Sequence, residues 1–299
     1  MKTLTPRYSP AGDEFLFVEL DEEMSLDAFF MGLSITSRLR EMALPGVVEI
    51  CPANASFQVC FDPDQLPLET LTGILERLHR EVAAEEAPTL ETRIIDIPVL
   101  YNDPWTHEVL MRFRERHQTP DTTDLEYAAR INGFDSIDAF IRAHAGAPWF
   151  VSMIGFVAGL PFMYQMIARE RQIQVPKYLR PRTDTPKQTV GYGGCFTAVY
   201  SVRGAGGYQM FGITPAPIYD PERKFSHIDD SMVFFRPGDI VMFRSIDRDT
   251  YDQLDAQAQA GEFSIVTTPF TFELEAFMAD HDAYNATIQQ RIMEALDAH

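Results

Sequence analysis

The chain has 299 residues, of which 45% are hydrophobic and 12% aromatic, a composition typical of a well-packed globular protein with one large or two ordinary domains. Its 44 acidic and 25 basic residues give a formal net charge of -19. Because nucleic acids and anionic membranes are bound by clustered Lys and Arg, this charge argues against both as partners, although acidic charge is also an ordinary aid to solubility.

The cysteines suit a reducing compartment, and the apolar segments favour neither a signal peptide nor a membrane span. Cys51, Cys60 and Cys195 have neither the spacing of a disulfide framework nor that of a zinc site, so we expect no metal and a cytoplasmic location. The N-terminal residues lack the apolar segment of a secretory signal peptide. The longest apolar run, 147–167, is interrupted by glycine, proline and glutamine, which favours a buried strand, turn and strand over a membrane span.

The first 90 residues predict a small α+β domain of order β-α-β-β-α. Three segments have the pattern of strands, namely 13–20, 44–53 and 56–62. Two segments have helical spacing of apolar residues, namely 26–42 and 66–82. The acidic sequence EEAPTLET, at 85–92, predicts a linker to the next domain.

Residues 91–268 predict a second domain that begins with a strand at 93–101. Capping residues and apolar spacing then predict three helices, at 106–116, 123–132 and 136–145. From Trp149 onward, short apolar segments between Gly and Pro indicate an all-β body, with a hairpin at 234–246. Residues 269–299 predict a polar-faced helical tail.

Six glycines lie close to three tyrosines between Val175 and Pro215. The glycines are Gly191, Gly193, Gly194, Gly204, Gly206 and Gly207, and the tyrosines are Tyr192, Tyr200 and Tyr208. Glycine weakens a strand, so this clustering indicates either tight turns or the close approach of a ligand, and the pattern alone leaves both open. No phosphate-binding glycine motif is present.

Two further positions are candidates for chemistry. His144 lies at the end of a predicted helix, where its position favours a protonated helix cap over a catalytic role. Arg182 could bind a carboxylate or ureido oxygen through two hydrogen bonds, and with Lys177 and Arg180 it forms either an anion site or a solvated basic loop. The chain has no Ser-His-Asp order, GxSxG or HExxH pattern of a self-contained hydrolase.

Several motifs together resemble a known family. They are LPGVVEICPANASFQVCFDP, IPVLY, DLEYAARINGF, GLPF, PRT, GGY and GITP. The chain resembles the carboxyltransferase-type family that includes subunit 1 of allophanate hydrolase, the B component of bacterial 5-oxoprolinase and the sporulation kinase inhibitor of bacilli. Through YNDPWT, VPKY, RTDTP, GYGG and AGGYQMFG it is most similar to the matching half of the urea carboxylase carboxyltransferase domain.

The resemblance implies an α+β fold with a small N-terminal α/β sandwich domain, a cyclophilin-like β-barrel domain and a C-terminal helix. It also implies a homologous second carboxyltransferase subunit, with the active site between the two. In such enzymes carboxybiotin delivers CO₂ to a nitrogen of urea or a related amide. Because this chain has neither a biotin-bearing Met-Lys-Met nor an ATP-binding motif, a biotin carboxylase and carrier protein would use ATP and bicarbonate and carry the biotin.

The resemblance also implies the site residues. Catalytic roles would belong to Arg182, Tyr208 and His144. Substrate-binding roles would belong to Lys177, Tyr178, Thr183, Tyr192, Gly193, Gly194, Tyr200, Gly206, Gly207 and Gln209. The glycines would let the backbone approach a flat ureido ring, and the tyrosines would supply apolar faces and hydroxyls.

Departures from the oxoprolinase pattern bear on the choice of activity. Cys195 and Phe196 stand where oxoprolinase-type members have Asn-Gln, and Tyr208 ends a segment that is Pro-Gly-Gly-Trp in those members. His144, in contrast, matches the oxoprolinase and inhibitor pattern. Two alternatives to a carboxylase subunit therefore remain. One is a component of an ATP-dependent, 5-oxoprolinase-type lactam hydrolase, whose activity would not depend on bicarbonate as that of a carboxylase does. The other is a regulatory protein that binds a histidine kinase.

Overall fold

The computed structural model describes residues 4–84, 89–228 and 231–298. The chain divides into two compact units, Met1–Thr89 and Leu90–His299, here called unit 1 and unit 2. Across the described ranges, no helix is both long enough and apolar enough to cross a membrane.

Unit 1 is a four-stranded antiparallel sheet with two helices. The strands are β1 (Arg7–Pro10), β2 (Phe15–Glu19), β3 (Val47–Pro52) and β4 (Ser56–Phe61), in the order β1-β2-β4-β3. The helices are α1 (Leu26–Glu41) and α2 (Leu68–Ala83), which pack on each other. Alternate residues of β2 and β4 are buried, and they join the apolar faces of both helices in one core.

The predicted elements of unit 1 are confirmed, and one strand was missed. Both helices and the three strands lie where the periodicity placed them. The missed strand is β1, whose four residues are mostly exposed and end in proline, so no alternating pattern marks it. The predicted linker is partly wrong, because its last four residues begin the strand β5 (Thr89–Tyr101), while residues 85–88 lie outside the described part of the chain.

Unit 2 is built on a large sheet. Its strands after β5 are β6 (Pro148–Ile154), β7 (Pro161–Gln165), β8 (Arg182–Thr185), β9 (Thr189–Gly193), β10 (Phe196–Val199), β11 (Gly204–Gly206), β12 (Gln209–Ile213), β13 (Ile240–Ser245) and β14 (Thr267–Glu273). The eight-stranded sheet has the order β12-β9-β10-β7-β6-β13-β5-β14, and β12 also pairs with β5. The strands β8 and β11 form a separate pair.

Helices cover parts of this sheet. They are α3 (Pro104–Phe113), α4 (Asp124–Ile131), α5 (Ile137–Ala145), α6 (Arg248–Ala260), α7 (Leu274–Ala279) and α8 (His281–Asp297). The main core of unit 2 combines the inner residues of the sheet with apolar residues of α4 and α5. Unit 2 is therefore a mixed α/β structure with a large sheet, and the predicted strand, turn and strand of the apolar run 147–167 are confirmed as β6 and β7.

Two predictions for the second half of unit 2 are wrong, and a third is confirmed only in part. Residues 234–246 do not form the predicted hairpin. The turn at Pro237 and Gly238 is present, but only the segment after it, β13, is a strand. This strand lies parallel to β5 and antiparallel to β6. The all-β body contains α6, a polar helix with Asp247 as its N-cap and Gly261 at its C-cap. The helical tail predicted at 269–299 is confirmed in α7 and α8, but its first residues belong to β14, where alternating Phe270 and Phe272 favour a strand.

Candidate functional site

A cavity of about 340 Å³ lies on the outer face of the sheet of unit 2. Its walls are mainly apolar, with Phe162, Ala198 and Tyr208 among them, and Phe162 lies opposite Ala198 in the pairing of β7 with β10. Ligand cavities commonly have this size and this apolar character, with a few polar groups that orient the ligand. The cavity is therefore the candidate functional site.

Strand alternation separates this cavity from the main core. Along β9 and β10, Tyr192, Thr197 and Val199 are buried on the inner face of the sheet. The neighbouring Ala198 and Tyr200 belong instead to the small cluster around the cavity. Because successive side chains of a strand point to opposite faces, the same two strands line the core and the cavity.

Gly193 creates the space for the aromatic wall. A Cβ at this position would lie 2.4 Å from Cδ1 of Tyr208 and 2.9 Å from Cγ of Lys177, closer than atoms can approach. Glycine here lets the ring of Tyr208 lie against β9. Gly194 serves the other purpose considered for these glycines, because its φ of 67° allows the tight turn from β9 to β10.

Lys177 supplies positive charge to the cavity. It is exposed, and its Nζ lies over the ring of Tyr208, 5.3 Å from the ring centroid. Burial raises the pKa of the Tyr208 hydroxyl, so this tyrosine is a neutral phenol at physiological pH. The pair presents an ammonium group and a flat aromatic face side by side, an arrangement suited to a planar ligand with an electron-rich oxygen.

Gly206 and Gly207 form a further part of the wall. A Cβ on Gly206 would lie 2.5 Å from the hydroxyl of Tyr200 and 2.7 Å from Oγ1 of Thr185, so this glycine allows two hydroxyl groups to pack behind the wall. The carbonyl oxygen of Gly207 accepts a hydrogen bond of 2.8 Å from the backbone N–H of Tyr178. The cavity wall is thus fixed to the segment that carries Lys177.

Arg182, Tyr178 and Asp124 form a buried stack behind the cavity. The guanidinium carbon of Arg182 lies 4.4 Å from the centroid of the Tyr178 ring, and Arg182 is 0% exposed. The hydroxyl of Tyr178 donates to Oδ1 of Asp124 at 2.6 Å. Burial raises the pKa of Asp124, and the N–H of Met210, the hydroxyl of Tyr178 and the charge of Arg182 act in the opposite direction.

A second buried group holds Gln209. The amide nitrogen of Gln209 donates to other groups, so its Oε1 is an acceptor and takes a hydrogen bond of 2.9 Å from Nε2 of His117. Nε2 of Gln209 then donates to the carbonyl oxygen of Pro176 at 2.9 Å. Gln209 is 0% exposed, so it contributes to the cavity by anchoring the residue before Lys177.

His144 lies in the main core. Its Nε2 bonds Oγ1 of Thr197 at 3.1 Å, and because that hydroxyl donates its own proton to Gly191, Nε2 is the protonated nitrogen. Nδ1 accepts from the hydroxyl of Tyr101 at 2.8 Å. The ring stacks on Phe243, and burial lowers its pKa to about 3. The expected protonated helix cap is therefore wrong, because His144 is neutral at physiological pH.

The structure brings together only some of the predicted site residues. Those that line the cavity are Lys177, Tyr200, Gly206, Gly207 and Tyr208. Those behind or beneath its wall are Tyr178, Arg182, Gly193 and Gln209. His144 and Tyr192 lie in the core, Thr183 is exposed on β8, and Gly194 lies in the turn. The grouping of Lys177, Arg180 and Arg182 is not a common anion site, since Arg182 is buried and its neighbours are exposed.

Sequence reasoning missed several residues of this region. Phe156, an exposed residue with a φ of 67°, lines the cavity, and Asp124 and His117 lie behind it. Asp124 directly follows the N-cap Thr123, so its sequence position indicates an ordinary acidic residue in the first turn of a helix. Nothing in the local pattern distinguishes it from such a residue.

Comparisons with known proteins relate the chain to two groups of enzymes. The family model described as "Carboxyltransferase domain, subdomain C and D" matches residues 6–228. The chain is 29% identical over 258 residues to the B component of 5-oxoprolinase from Bacillus subtilis, covering 83% of this chain and 97% of that protein. It is 23% identical over 295 residues to urea amidolyase of Lachancea kluyveri, covering 97% of this chain but only 16% of that protein.

The fold has a matching solved structure. The urea carboxylase of Kluyveromyces lactis superposes with a TM-score of 0.81 at 21% identity, over 95% of this chain and 26% of that protein. The likeness shows that the mixed α/β fold is shared. With the family match spanning most of its length, the chain belongs to the family of the carboxyltransferase domain, subdomain C and D.

Proposed function

We propose that the chain is one subunit of a heteromeric, biotin-dependent carboxyltransferase that moves CO₂ from carboxybiotin to a nitrogen of urea or a related amide or guanidine compound. The observation that carries the proposal is the cavity of about 340 Å³, with its aromatic wall and Lys177 beside it. Urea alone would fill a small part of this volume. The fused ring system of biotin, in contrast, is larger, mostly apolar and flat at its ureido ring, and its size fits the cavity.

The residues of the cavity fit such a ring. Tyr208 offers a flat face for stacking, and the backbone at Gly206 and Gly207 allows close approach to its edge. Bound carboxybiotin would supply the carboxyl group for transfer. Lys177 donates a hydrogen bond to the carbonyl or carboxylate oxygen on which negative charge increases during transfer, which stabilises that charge.

Arg182, Tyr178 and Gln209 have supporting roles in this proposal. Arg182 is buried and lies outside the cavity lining, so Lys177 takes the direct role that the sequence suggested for Arg182. His144 has no part in ligand contact, because both of its ring nitrogens are bonded inside the core. Thr183 is exposed on β8 and Gly194 is exposed in a turn, so neither shapes the cavity that would bind the ureido ring.

The remaining features of the proposal concern architecture and partners. Unit 2 would be a cyclophilin-like β-barrel. The pairing of β12 with β5 supports this, because it joins the first strand of the sheet order to its seventh and so makes a closed ring of strands. A homologous second carboxyltransferase subunit would complete the site. A separate biotin carboxylase and carrier protein would use ATP and bicarbonate in the cytoplasm and bring the biotin to the cavity.

The test is to isolate the native complex through this chain and to probe its companions with labelled streptavidin. The proposal expects a large biotinylated companion, and ATP hydrolysis by the complex that requires both bicarbonate and a urea-like compound. A complex that contains an unbiotinylated homologue and hydrolyses ATP without bicarbonate contradicts the proposal.

A 5-oxoprolinase-type lactam hydrolase is the second candidate. The observation that favours it is the match across 97% of the B component of B. subtilis 5-oxoprolinase, whereas only small parts of the urea enzymes are matched. In this candidate the cavity would hold a small lactam, and Lys177 would bind its carboxylate. Adding 5-oxoproline to the native complex, with and without bicarbonate, separates the two candidates.

A further inference from the structure

Asp124 is buried at the start of α4, behind the cavity wall. It is 1% exposed, its Oδ1 accepts the hydroxyl of Tyr178 at 2.6 Å, and its Oδ2 accepts the backbone N–H of Met210 at 2.6 Å. Both oxygens are acceptors, which is the pattern of an ionised carboxylate. The hydrogen bonds of Asp124 therefore fix the ring of Tyr178 on one side and the start of β12 on the other.

The charge of Arg182 faces the same ring. The guanidinium of Arg182 lies over the ring of Tyr178, and its Nη2 donates to Oγ1 of Thr185 at 3.4 Å. Its Nε and Nη1 have no hydrogen-bond partner among the described residues. A guanidinium does not lose its proton in proteins, and a buried charge requires compensation.

Tyr178 links the two charges. A phenol that donates a hydrogen bond to a carboxylate has a more electron-rich ring, and such a ring attracts a cation more strongly. Asp124, Tyr178 and Arg182 thus form a stack in which the negative charge acts on the positive one through the ring. Removal of the carboxylate charge would leave Arg182 as an uncompensated buried cation and would loosen Tyr178.

The position of Tyr178 determines two parts of the cavity. It directly follows Lys177, and its backbone N–H donates to the carbonyl oxygen of Gly207 at 2.8 Å. Lys177 and Gly207 both line the cavity. A shift of Tyr178 therefore moves the ammonium group away from the Tyr208 ring and moves the glycine wall as well.

We infer that Asp124 is a positioning residue of the cavity, which acts through the Tyr178 hydroxyl to hold Lys177 over Tyr208. The importance of this placement for carboxyl transfer rests on the proposed function. The placement itself does not, because it can be measured on the isolated chain.

The experiment observes Lys177 by NMR after reductive ¹³C-methylation of the lysines, a modification that keeps their positive charge. The Lys177 signal is assigned through Lys177→Arg. Because Nζ of Lys177 lies over the Tyr208 ring, its methyl signal is expected upfield of those of solvated lysines. In Asp124→Asn and in Tyr178→Phe this ring-current shift is expected to fall by more than half.

Asp96→Asn is the matched control. Asp96 is a similarly buried carboxylate, 3% exposed, and it pairs with Arg244 at 2.8 Å between β5 and β13. Its substitution should destabilise unit 2 and leave the Lys177 signal unchanged. A wild-type Lys177 signal in Tyr178→Phe overturns the inference. Because this variant removes only a hydroxyl, it tests the role of Asp124 even where Asp124→Asn does not fold.

An activity measurement separates this inference from the proposed function. If the native complex carries out bicarbonate-dependent turnover, Asp124→Asn should lower kcat by about ten- to a hundredfold with assembly unchanged, since small displacements of a reacting group have effects of this size. If the wild-type complex has no such turnover, the carboxylase proposal fails, and the Lys177 signal alone decides the role of Asp124. Unchanged kcat in an active complex overturns that role.

Discussion

The inner and outer faces of β9 and β10 use polar residues in opposite ways. On the inner face, Thr197 and His144 form a closed set of hydrogen bonds with Tyr101 and Gly191, surrounded by aromatic rings. On the outer face, small residues leave a cavity, and Lys177 reaches its edge with its charge exposed. The two short strands β9 and β10 thus separate a polar cluster that stabilises the fold from a cavity that can bind a ligand.

The difference teaches that a buried histidine with a strongly shifted pKa need not belong to an active site. The pKa of His144 is low because the ring is surrounded by apolar groups, with all its hydrogen bonds made inside the protein. The cavity, in contrast, is distinguished by what is missing from its strands, since glycine and alanine provide the room. Substitutions on the two faces should therefore affect different measurements.

Lys177→Met should have the largest effect, and it should act on turnover alone. Methionine keeps the apolar stem against Tyr208 and removes the charge, so kcat of the native complex should fall by about a hundred- to a thousandfold, as when one charge-stabilising donor is removed. The unfolding free energy should stay within about 0.5 kcal/mol of wild type because the charge is exposed.

Lys187→Met is its control, because Lys187 is also exposed and is absent from the cavity lining. Turnover of this variant should equal that of wild type. Equal turnover of both variants would remove Lys177 from the site.

His144→Phe should have the next largest effect, on stability. Phenylalanine preserves the stack on Phe243 but leaves the buried hydroxyl of Tyr101 without its acceptor, at a cost of about 2–3 kcal/mol in the unfolding of unit 2. Chemical denaturation measures this change. In a Tyr101→Phe background the same substitution should cost less, because no hydroxyl is then orphaned, and turnover per folded molecule should be unchanged in either background.

Gly193→Ala should have a smaller effect that reaches both stability and the cavity. Its Cβ would collide with the Tyr208 ring, and overpacking of this kind should cost about 1–2 kcal/mol and shift Tyr208 and Lys177. Gly204→Ala is the control, since a Cβ at Gly204 meets nothing within 4 Å. The idea that Gly193 makes room for Tyr208 is contradicted if the two variants have equal stability and equal turnover.

Local periodicity predicted unit 1 better than unit 2. In unit 1, β2 and β4 alternate and both helices have an apolar stripe, so these elements are marked by their own residues. In unit 2, β9 is buried along its whole length, and β13 lies between two strands that are distant in sequence. The pairing of β13 with β5 depends on tertiary contacts, which is why a local hairpin was predicted in its place.

The candidate site was predicted in composition but not in arrangement. The clustered glycines and tyrosines indicated a site, and Lys177 and Tyr208 indeed meet there. Which tyrosine faces the cavity depends on strand register, and so Tyr192 was assigned to the site although it lies in the core. Asp124 could not be found from sequence, because its partners Tyr178 and Met210 are brought to it only by the fold.

His144 should also make the stability of unit 2 depend on pH. Burial lowers the pKa of His144 to about 3 in the folded state, whereas an exposed histidine titrates near pH 6.5. Between these values the unfolded chain binds a proton that the folded chain does not. The contribution of His144 is therefore complete above about pH 6.5 and is lost as the pH falls, by up to about 1.4 kcal/mol per pH unit.

The difference between wild type and His144→Phe isolates this contribution, measured by denaturation between pH 7 and about pH 4.5. Burial also raises the pKa of Asp96, Asp103 and Asp124, and these carboxyl groups act in the opposite direction because the folded state then binds the extra proton. They are common to both proteins and cancel in the difference. The stability gap should therefore narrow as the pH falls, and a gap that stays constant would mean that His144 can be protonated in the folded core.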